Sequence, residues 1–293
     1  MIKDFLNTIL RFLYEHHIVT PLLVSSIRYI FKLKRIPNIK NPKDLNEKIL
    51  HLAFYTDTTE WTRLSDKFEV REFVKERGCE YSLTQLYASY TSADDIDFDS
   101  LPNNFVMKCN NGYGDVVIVN DKSAINYDEL RTKARKWLST KFGYLSAEPH
   151  YLNIKPRIIF EQLLKNDNPE STSIVDYKFW CFNGKAIAIF VCSNRNINKH
   201  SSNYDYYTLE WISHPEYMTP NYRSNLTLNK PDCLDEMIKI SERLSKGFPI
   251  VRVDLYSSGG KPYFGEMTFT SNAGRMPFYT KETLLMLGKM AEI

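Results

Sequence analysis

The chain has 293 residues, room for one large domain or about two ordinary ones, and enough to bury a full core without disulfide or metal staples. Charged residues make up 25% and hydrophobic residues 43%, values that exclude a disordered or collagen-like chain. The net charge of +3, from 38 basic and 35 acidic residues, excludes a general nucleic-acid coat, which would be far more basic.

From the N terminus, Ile2, Phe5, Leu6, Ile9 and Leu13 recur at helical spacing, with Asp4, Thr8, Arg11 and Glu15 opposite. A second helical stretch runs from Ile18 to Phe31, with Pro21 in its first turn. Residues 1–43 carry eight basic side chains (Lys3, Arg11, Arg28, Lys32, Lys34, Arg35, Lys40, Lys43) against Asp4 and Glu15, a local +6 that leaves −3 for the rest. Such a head predicts contact with something anionic, a lipid surface among the candidates. A helical hairpin packed on the body is the preferred reading, because an apolar stripe alone is usually core. Arg11 and Glu15 interrupt the apolar start, so no secretory signal is expected. No apolar run approaches the ~18 residues of a membrane span. The expectation is a cytoplasmic protein, at the inner face of the membrane if the head binds lipid.

A helix is expected from Asp44 to about Tyr55, and one more over Trp61–Arg77 closed by Gly78. Asp94, Asp95, Asp97 and Asp99 form an acidic loop. Strands are expected at 105–108 and 116–119, a helix over about 127–141, and a strand at 157–160. Residues 176–192 read as a hairpin turning at Asn183-Gly184. The stretch 195–229 is aromatic and polar and reads as loops with short strands. A helix around Leu234–Leu244, a hairpin over 249–268 and a last helix at about 281–291 complete the chain. The five cysteines (Cys79, Cys109, Cys181, Cys192, Cys233) show no CxxC spacing and read as buried thiols in a reducing compartment.

Three features carry chemistry. Lys108 ends a strand before Asn110-Asn111-Gly112-Tyr113-Gly114-Asp115, where two glycines would let backbone N–H groups approach a polyphosphate. A hairpin turn alone would also use them. The second is the 249–268 hairpin. Arg252 and Asp254 share one face of its first strand; Phe264, Glu266 and Thr268 share one face of the return strand. A three-residue loop, Ser258-Gly259-Gly260, would pair position 254 with 264 and aim Asp254 and Glu266 the same way. An even-numbered loop would send them to opposite faces. Two converging buried carboxylates call for a cation, and magnesium with ATP oxygens suits them. The third is Glu161-Gln162-Leu163-Leu164, leaving a strand as a hinge able to hold an adenine.

Taken in order, these pieces resemble the ATP-grasp superfamily and its TupA-like branch, named for teichuronopeptide synthesis. The resemblance covers roughly 40–280. It rests on Asn41-Pro42-Lys43-Asp44-Leu45-Asn46-Glu47, Ser65-Asp66-Lys67-Phe68-Glu69-Val70-Arg71, Val106-Met107-Lys108-Cys109-Asn110-Asn111-Gly112, Asp176-Tyr177-Lys178-Phe179-Trp180, Arg252-Val253-Asp254-Leu255-Tyr256 and Gly265-Glu266-Met267-Thr268-Phe269. It implies an α+β fold of two subdomains gripping ATP. A helical segment (1–40) and an N-terminal portion (41–104) would precede a lid (about 105–160) and a C-terminal subdomain (about 161–293). Lys67 and Lys108 would contact phosphates, under a lid containing Asn111, Gly112 and Gly114. Glu161, Gln162 and Leu164 would border the adenine, and Asp176 and Lys178 the ribose or phosphates. Asp254 and Glu266 would bind Mg2+, and Arg252 would stabilise the transferring phosphoryl group. Many relatives place an asparagine where Thr268 stands. The activity implied is ligation of an amine, such as an amino acid, to a carboxylate through an acyl phosphate, in capsule or lipopolysaccharide assembly. No nucleic-acid partner is implied. Two other readings compete. Asp95-Ile96-Asp97 and Asp97-Phe98-Asp99 match the DxD of a glycosyltransferase, although a solvated acidic loop is commoner. A membrane-surface scaffold that has kept the fold would use the basic head alone.

Overall fold

The protein is described by a computed structural model covering residues 2–196, 201–224 and 226–293; the side chains of Ile2, Lys3 and Asp4 lie outside the described residues. Helices α1 (Ile2–Glu15) and α2 (Pro21–Leu33) form the expected N-terminal hairpin. Thr20 caps α2 by accepting the Leu23 N–H at 3.2 Å, and Pro21 takes the first helical position, where no N–H is needed. Leu10, Tyr14 and Val24 pack with Ala147, so the hairpin has an apolar seat on the body. Helix α3 (Leu45–Tyr55) starts at Asp44, whose carboxylate accepts the Glu47 N–H.

The single helix expected over 61–77 is two, α4 (Thr59–Ser65) and α5 (Val70–Glu76). Asp66 ends the first by accepting the N–H groups of Phe68 (2.8 Å) and Glu69 (3.3 Å). The Lys67 N–H bonds the Asn110 carbonyl, far along the chain, at 3.0 Å. A local cap and a long-range bond together outbid helix continuation.

The rest is α+β, built on two antiparallel sheets. The first has the order β1 (Leu86–Tyr90), β4 (Ile158–Glu161), β2 (Phe105–Cys109), β3 (Val116–Val119). Helix α6 (Tyr127–Ser139) covers it through Leu130, Ala134 and Trp137, against Phe105, Met107 and Phe160. Helix α7 (Phe142–Ser146) follows α6. The second sheet has the order β7 (Ser201–Tyr207), β6 (Lys185–Asn196), β5 (Asp176–Phe182), β8 (Ile250–Ser258), β9 (Lys261–Thr268). Helix α8 (Leu234–Ser245) packs on it through Leu234, Met237, Ile240 and Leu244, and α9 (Lys281–Met290) lies against α3. Asn183 and Gly184 take the left-handed conformations (φ 49° and 79°) of the expected two-residue turn. In the stretch expected to be irregular, β7 is a seven-residue strand, and its aromatics pack on one another: Tyr207 stacks on Trp211 at 4.1 Å. All five cysteines are buried and free.

The last hairpin departs from the expected register. Ser258 faces Lys261, so the loop is the two residues Gly259 and Gly260, not three. An even loop alone would separate Asp254 from Glu266. A β-bulge reverses this: Leu255 faces Phe264, but Asp254 faces Glu266, leaving Gly265 as the extra residue. Position 254 pairs with 266 and not 264. Glycine fits there because a Cβ would stand 2.8 Å from the Tyr256 ring and 3.0 Å from the Asp254 carbonyl.

Candidate active site

Strand alternation and the Gly265 bulge gather Arg252, Asp254, Glu266 and Thr268 on one face of the β8–β9 hairpin. The neighbouring β5 adds Asp176 and Lys178, with Lys178 opposite Asp254. Asp254, 1% exposed, accepts from Arg252 Nε and Nη2, both at 2.7 Å, and from Lys178 Nζ at 2.6 Å. Arg252 also reaches Ser271 Oγ (2.6 Å), Thr268 Oγ1 (3.1 Å) and Glu266 Oε1 (3.4 Å). Thr268 Oγ1 donates a hydrogen bond to Glu266 Oε1 at 2.9 Å.

The break between α4 and α5 delivers Lys67 to the same place. Its ammonium donates to the Gly112 carbonyl at 2.8 Å and stands 3.5 Å from Glu266 Oε2. Asp176 is flanked by Lys178 at 3.6 Å and ion-paired with Arg195. Four cations (Lys67, Lys178, Arg195, Arg252) thus face three acids (Asp176, Asp254, Glu266), one positive charge in excess. Burial would raise the carboxyls of Asp176 and Glu266, but their neighbours prevail. Arg195 and Lys178 hold Asp176 below the ordinary range. Lys67, Lys178 and Arg252 hold Glu266 well below it. For Lys178 burial works against the charge, and Asp176 and Asp254 reverse it, so its pKa is raised. These three groups are therefore charged at neutral pH. The Glu266 side chain is 31% exposed, the most open of the three acids.

Two carboxylates and a hydroxyl are hard oxygen donors of the kind that suits Mg2+. No group of three or more His, Cys, Asp or Glu at ligand spacing occurs among the described residues. A dication at this face would take two protein carboxylates and fill its shell from a ligand and water, which is how magnesium binds with phosphates.

A second cluster lies on the first sheet. Lys108 Nζ stands 2.6 Å from Glu161 Oε2, and Arg71 Nη1 3.1 Å from Glu161 Oε1, so the Glu161 carboxylate is taken up by two cations. The Gln162 N–H bonds the Gln85 carbonyl at 2.9 Å. Among the described residues, no hydrogen bond engages the backbone N–H of Leu163 or Leu164. In the loop 110–115, Asn110 ties the loop base to Arg157 and Lys155. Asn111 is buried and accepts the Cys109 thiol at 2.9 Å. Gly112 (φ 80°) needs its glycine twice over, since a Cβ would meet the Phe142 ring at 2.6 Å. Gly114 (φ 87°) faces open space, and Tyr113 is 79% exposed.

The structure thus brings Lys67, Gly112, Asp176, Lys178, Arg252, Asp254 and Glu266 together, and joins Lys108 to Glu161. Arg195, Arg71 and Ser271 are partners that the sequence reading gave no role. Arg71 stood within a quoted motif. Arg195 has no pattern to reveal it, because Asn194 (φ 47°) breaks the strand alternation just before it. The acidic loop is bonded within itself and to its surroundings: Asp97 accepts the N–H groups of Asp99 and Ser100, and Asp94 pairs with Arg135 at 2.6 Å. No helix among the described residues is long and apolar enough to cross a membrane.

Among solved structures, the chain is similar to a D-alanine–D-alanine ligase from Bacillus anthracis complexed with ATP, at 18% identity and a TM-score of 0.40, over 71% of this chain and 54% of that one. It is similar to the D-alanine–D-alanine ligase from Helicobacter pylori at 14% identity and a TM-score of 0.43, over 78% and 61%. A phosphoribosylamine–glycine ligase from Thermotoga maritima matches at 11% identity and a TM-score of 0.40, over 71% and 49%. The chain therefore spans between 49% and 61% of the length of these structures. No curated protein sequence matches it. The family model described as TupA-like ATPgrasp matches residues 47–292. That stretch holds both sheets and every residue of the two charge clusters, and the chain belongs to the TupA-like ATP-grasp family.

Proposed function

We propose that the chain is an ATP- and magnesium-dependent ligase joining a carboxylate to an amine through an acyl phosphate. The observation that carries this reading is the facing pair Asp254 and Glu266, turned to one side by a bulge and ringed by Arg252, Lys178 and Lys67. An excess of positive charge around two oxygen-donor carboxylates suits a magnesium-bound polyphosphate.

In this reading Asp254 and Glu266 hold Mg2+, which when bound supplies Lewis-acid charge at phosphoryl oxygens. Lys67 and Lys108 bind phosphates as point charges. Asn111, Gly112 and Gly114 shape the loop over them. Glu161, Gln162 and Leu164 border the adenine, with Glu161 acting through Lys108 and Arg71. Asp176 and Lys178 lie toward the ribose or phosphates. Arg252 neutralises charge on the phosphoryl group in flight. A substrate carboxylate oxygen bonds the γ-phosphorus as the bond to ADP breaks. The amine nitrogen then attacks the acyl carbon, loses a proton, and phosphate leaves. Loop closure keeps water from the acyl phosphate. The substrates fitting the family's name are an amino acid and a uronate of a capsule or lipopolysaccharide precursor, met in the cytoplasm or at the membrane's inner face, where residues 1–43 would make a peripheral contact.

The test is ADP release on mixing ATP, Mg2+, a uronate-bearing precursor and amino acids. Turnover is expected only with acid and amine together. Glu266→Gln and Lys108→Met should each lower it at least about 100-fold, while Asp97→Asn leaves it unchanged. Full turnover by Glu266→Gln, or tighter binding of a uridine-diphosphate sugar than of ATP, would remove the assignment.

A further inference from the structure

Arg157 has no role in the ligase scheme, yet it stands one residue before β4, beside the glycine loop. It is still held in the sheet. The Asn110 N–H donates to its carbonyl at 2.9 Å, and its own N–H donates to Asn110 Oδ1 at 2.7 Å. Ile158 and Phe160 turn into the core under α6. Strand alternation therefore sends 157, 159 and 161 to the opposite side, the side on which Lys108 meets Glu161. Asn110 also ties Arg157 to the phosphoryl cluster. Its carbonyl accepts the Lys67 N–H at 3.0 Å, and Lys67 Nζ stands 3.5 Å from Glu266.

The Arg157 guanidinium is supported but uncommitted. It lies over the Phe68 ring, 4.2 Å from the centroid, and Phe68 directly follows Lys67. Stacking uses the flat face of a guanidinium and leaves the N–H donors at its edge. Among the described residues those donors make no hydrogen bond and no ion pair, and the residue is half-buried rather than sealed. The cations of the two clusters differ in this. Lys108 pairs with Glu161, Lys67 with Glu266, Lys178 and Arg252 with Asp254, and Arg195 with Asp176. A triphosphate carries more negative charge than one magnesium ion cancels, so a cation without an acid partner suits it. The order along β4 says which phosphate lies nearest. Lys108 faces Ile159, two residues back from Glu161 at the hinge, and Arg157 is two residues further, about 13 Å from Glu161 along the strand. An adenine at the hinge would send its phosphates past Lys108 toward Arg157.

We infer that Arg157 is a further nucleotide-binding residue, which meets the terminal phosphate of ATP and makes the site prefer a nucleoside triphosphate to a diphosphate. Its planar fork can bond two oxygens of one phosphoryl group, which a lysine cannot do. Phe68 is a positioning residue that holds the guanidinium in place. That the nucleotide is ATP, with its adenine at the hinge, rests on the ligase reading; the inference adds which side chain distinguishes three phosphates from two.

The experiment titrates ATP and ADP, each with magnesium, into the full chain and its variants by calorimetry. Arg157→Gln should weaken ATP about tenfold or more and leave ADP within about twofold, since charge-assisted bonds to one phosphate are lost. Arg157→Lys keeps the charge without the fork and should recover part of the ATP affinity. Phe68→Leu keeps the guanidinium without its support and should also narrow the preference for ATP over ADP. A purely structural role would weaken both nucleotides together and lower the melting temperature of the ligand-free chain. If Arg157→Gln fails to fold, Arg157→Lys carries the test, with ATP weakened and ADP unchanged. ATP affinity untouched by these changes, or ATP and ADP weakened equally, overturns the contact and leaves the ligase reading standing. An unaltered chain that binds neither nucleotide removes the ligase reading and the phosphate contact with it.

Discussion

Arg252 is the residue on which the acidic hairpin depends. It gives two bonds to a carboxylate that is almost wholly buried, and one each to Thr268 and Ser271. Removing one partner of a buried pair leaves a charge without compensation. Arg252→Met is therefore expected to destabilise the fold by about 3 kcal/mol, read as a lower midpoint in urea denaturation, beyond any loss of turnover. Arg252→Met with an unchanged midpoint would show that Lys178 alone suffices for Asp254. Asp205 on β7 gives the opposite sign. Burial pushes its carboxyl up to about 6, and a bond to Ser224 only partly opposes this. Above the unfolded value of about 3.9 the folded state retains a proton that the unfolded state loses, so stability falls as pH rises toward 6. Asp205→Asn should raise the melting temperature by a few degrees at pH 7.5, and the gain should shrink toward pH 4. An equal gain at both pH values would assign the effect to packing. At this scale the sequence showed the residue types that strand alternation governs, Arg252 and Asp254 above all. It could not show Arg195, because a left-handed Asn194 interrupts the alternation. Nor could it show that the Glu161 carboxylate is consumed by Lys108 and Arg71, a meeting of three distant segments.

Among the elements, the β8–β9 hairpin and the α4–α5 break position the site. The hairpin's two-residue loop would have set Asp254 and Glu266 on opposite faces, and one extra residue turns Glu266 back. Deleting Gly265 should restore regular pairing with Glu266 still opposite Asp254. The expected outcome is a folded protein by circular dichroism that keeps magnesium-dependent ATP binding in calorimetry. Lost binding would show that the bulge itself, and not only the pairing, positions Glu266. The hairpin was legible from the period-two pattern, but its register was not, since a bulge leaves the hydrophobic pattern almost unchanged. The helix break was hidden for a different reason. The bond from Lys67 N–H to Asn110 joins segments 43 residues apart, and no local propensity encodes it. Strand β1 escaped notice because each of its five residues is only half-buried, so no apolar alternation marks it.

For the whole molecule, two sheets with separate hydrophobic clusters meet where Lys67 bridges the Gly112 carbonyl and Glu266. A ligand spanning that meeting binds only the folded chain. Magnesium–ATP at 100 times its dissociation constant would then stabilise by about 2.7 kcal/mol, read as a melting temperature several degrees higher, and EDTA should cancel the rise. A rise that survives EDTA would contradict the magnesium assignment. The α+β class came with the resemblance to the ATP-grasp superfamily, whereas the strand orders depend on pairings that single segments do not announce. The sealed thiols have a practical side. Since every native sulfhydryl is inside, maleimide dyes should find nothing to react with, and a cysteine introduced at Tyr113 would be a unique handle. A fluorophore there would report any movement of the glycine loop when magnesium–ATP is added.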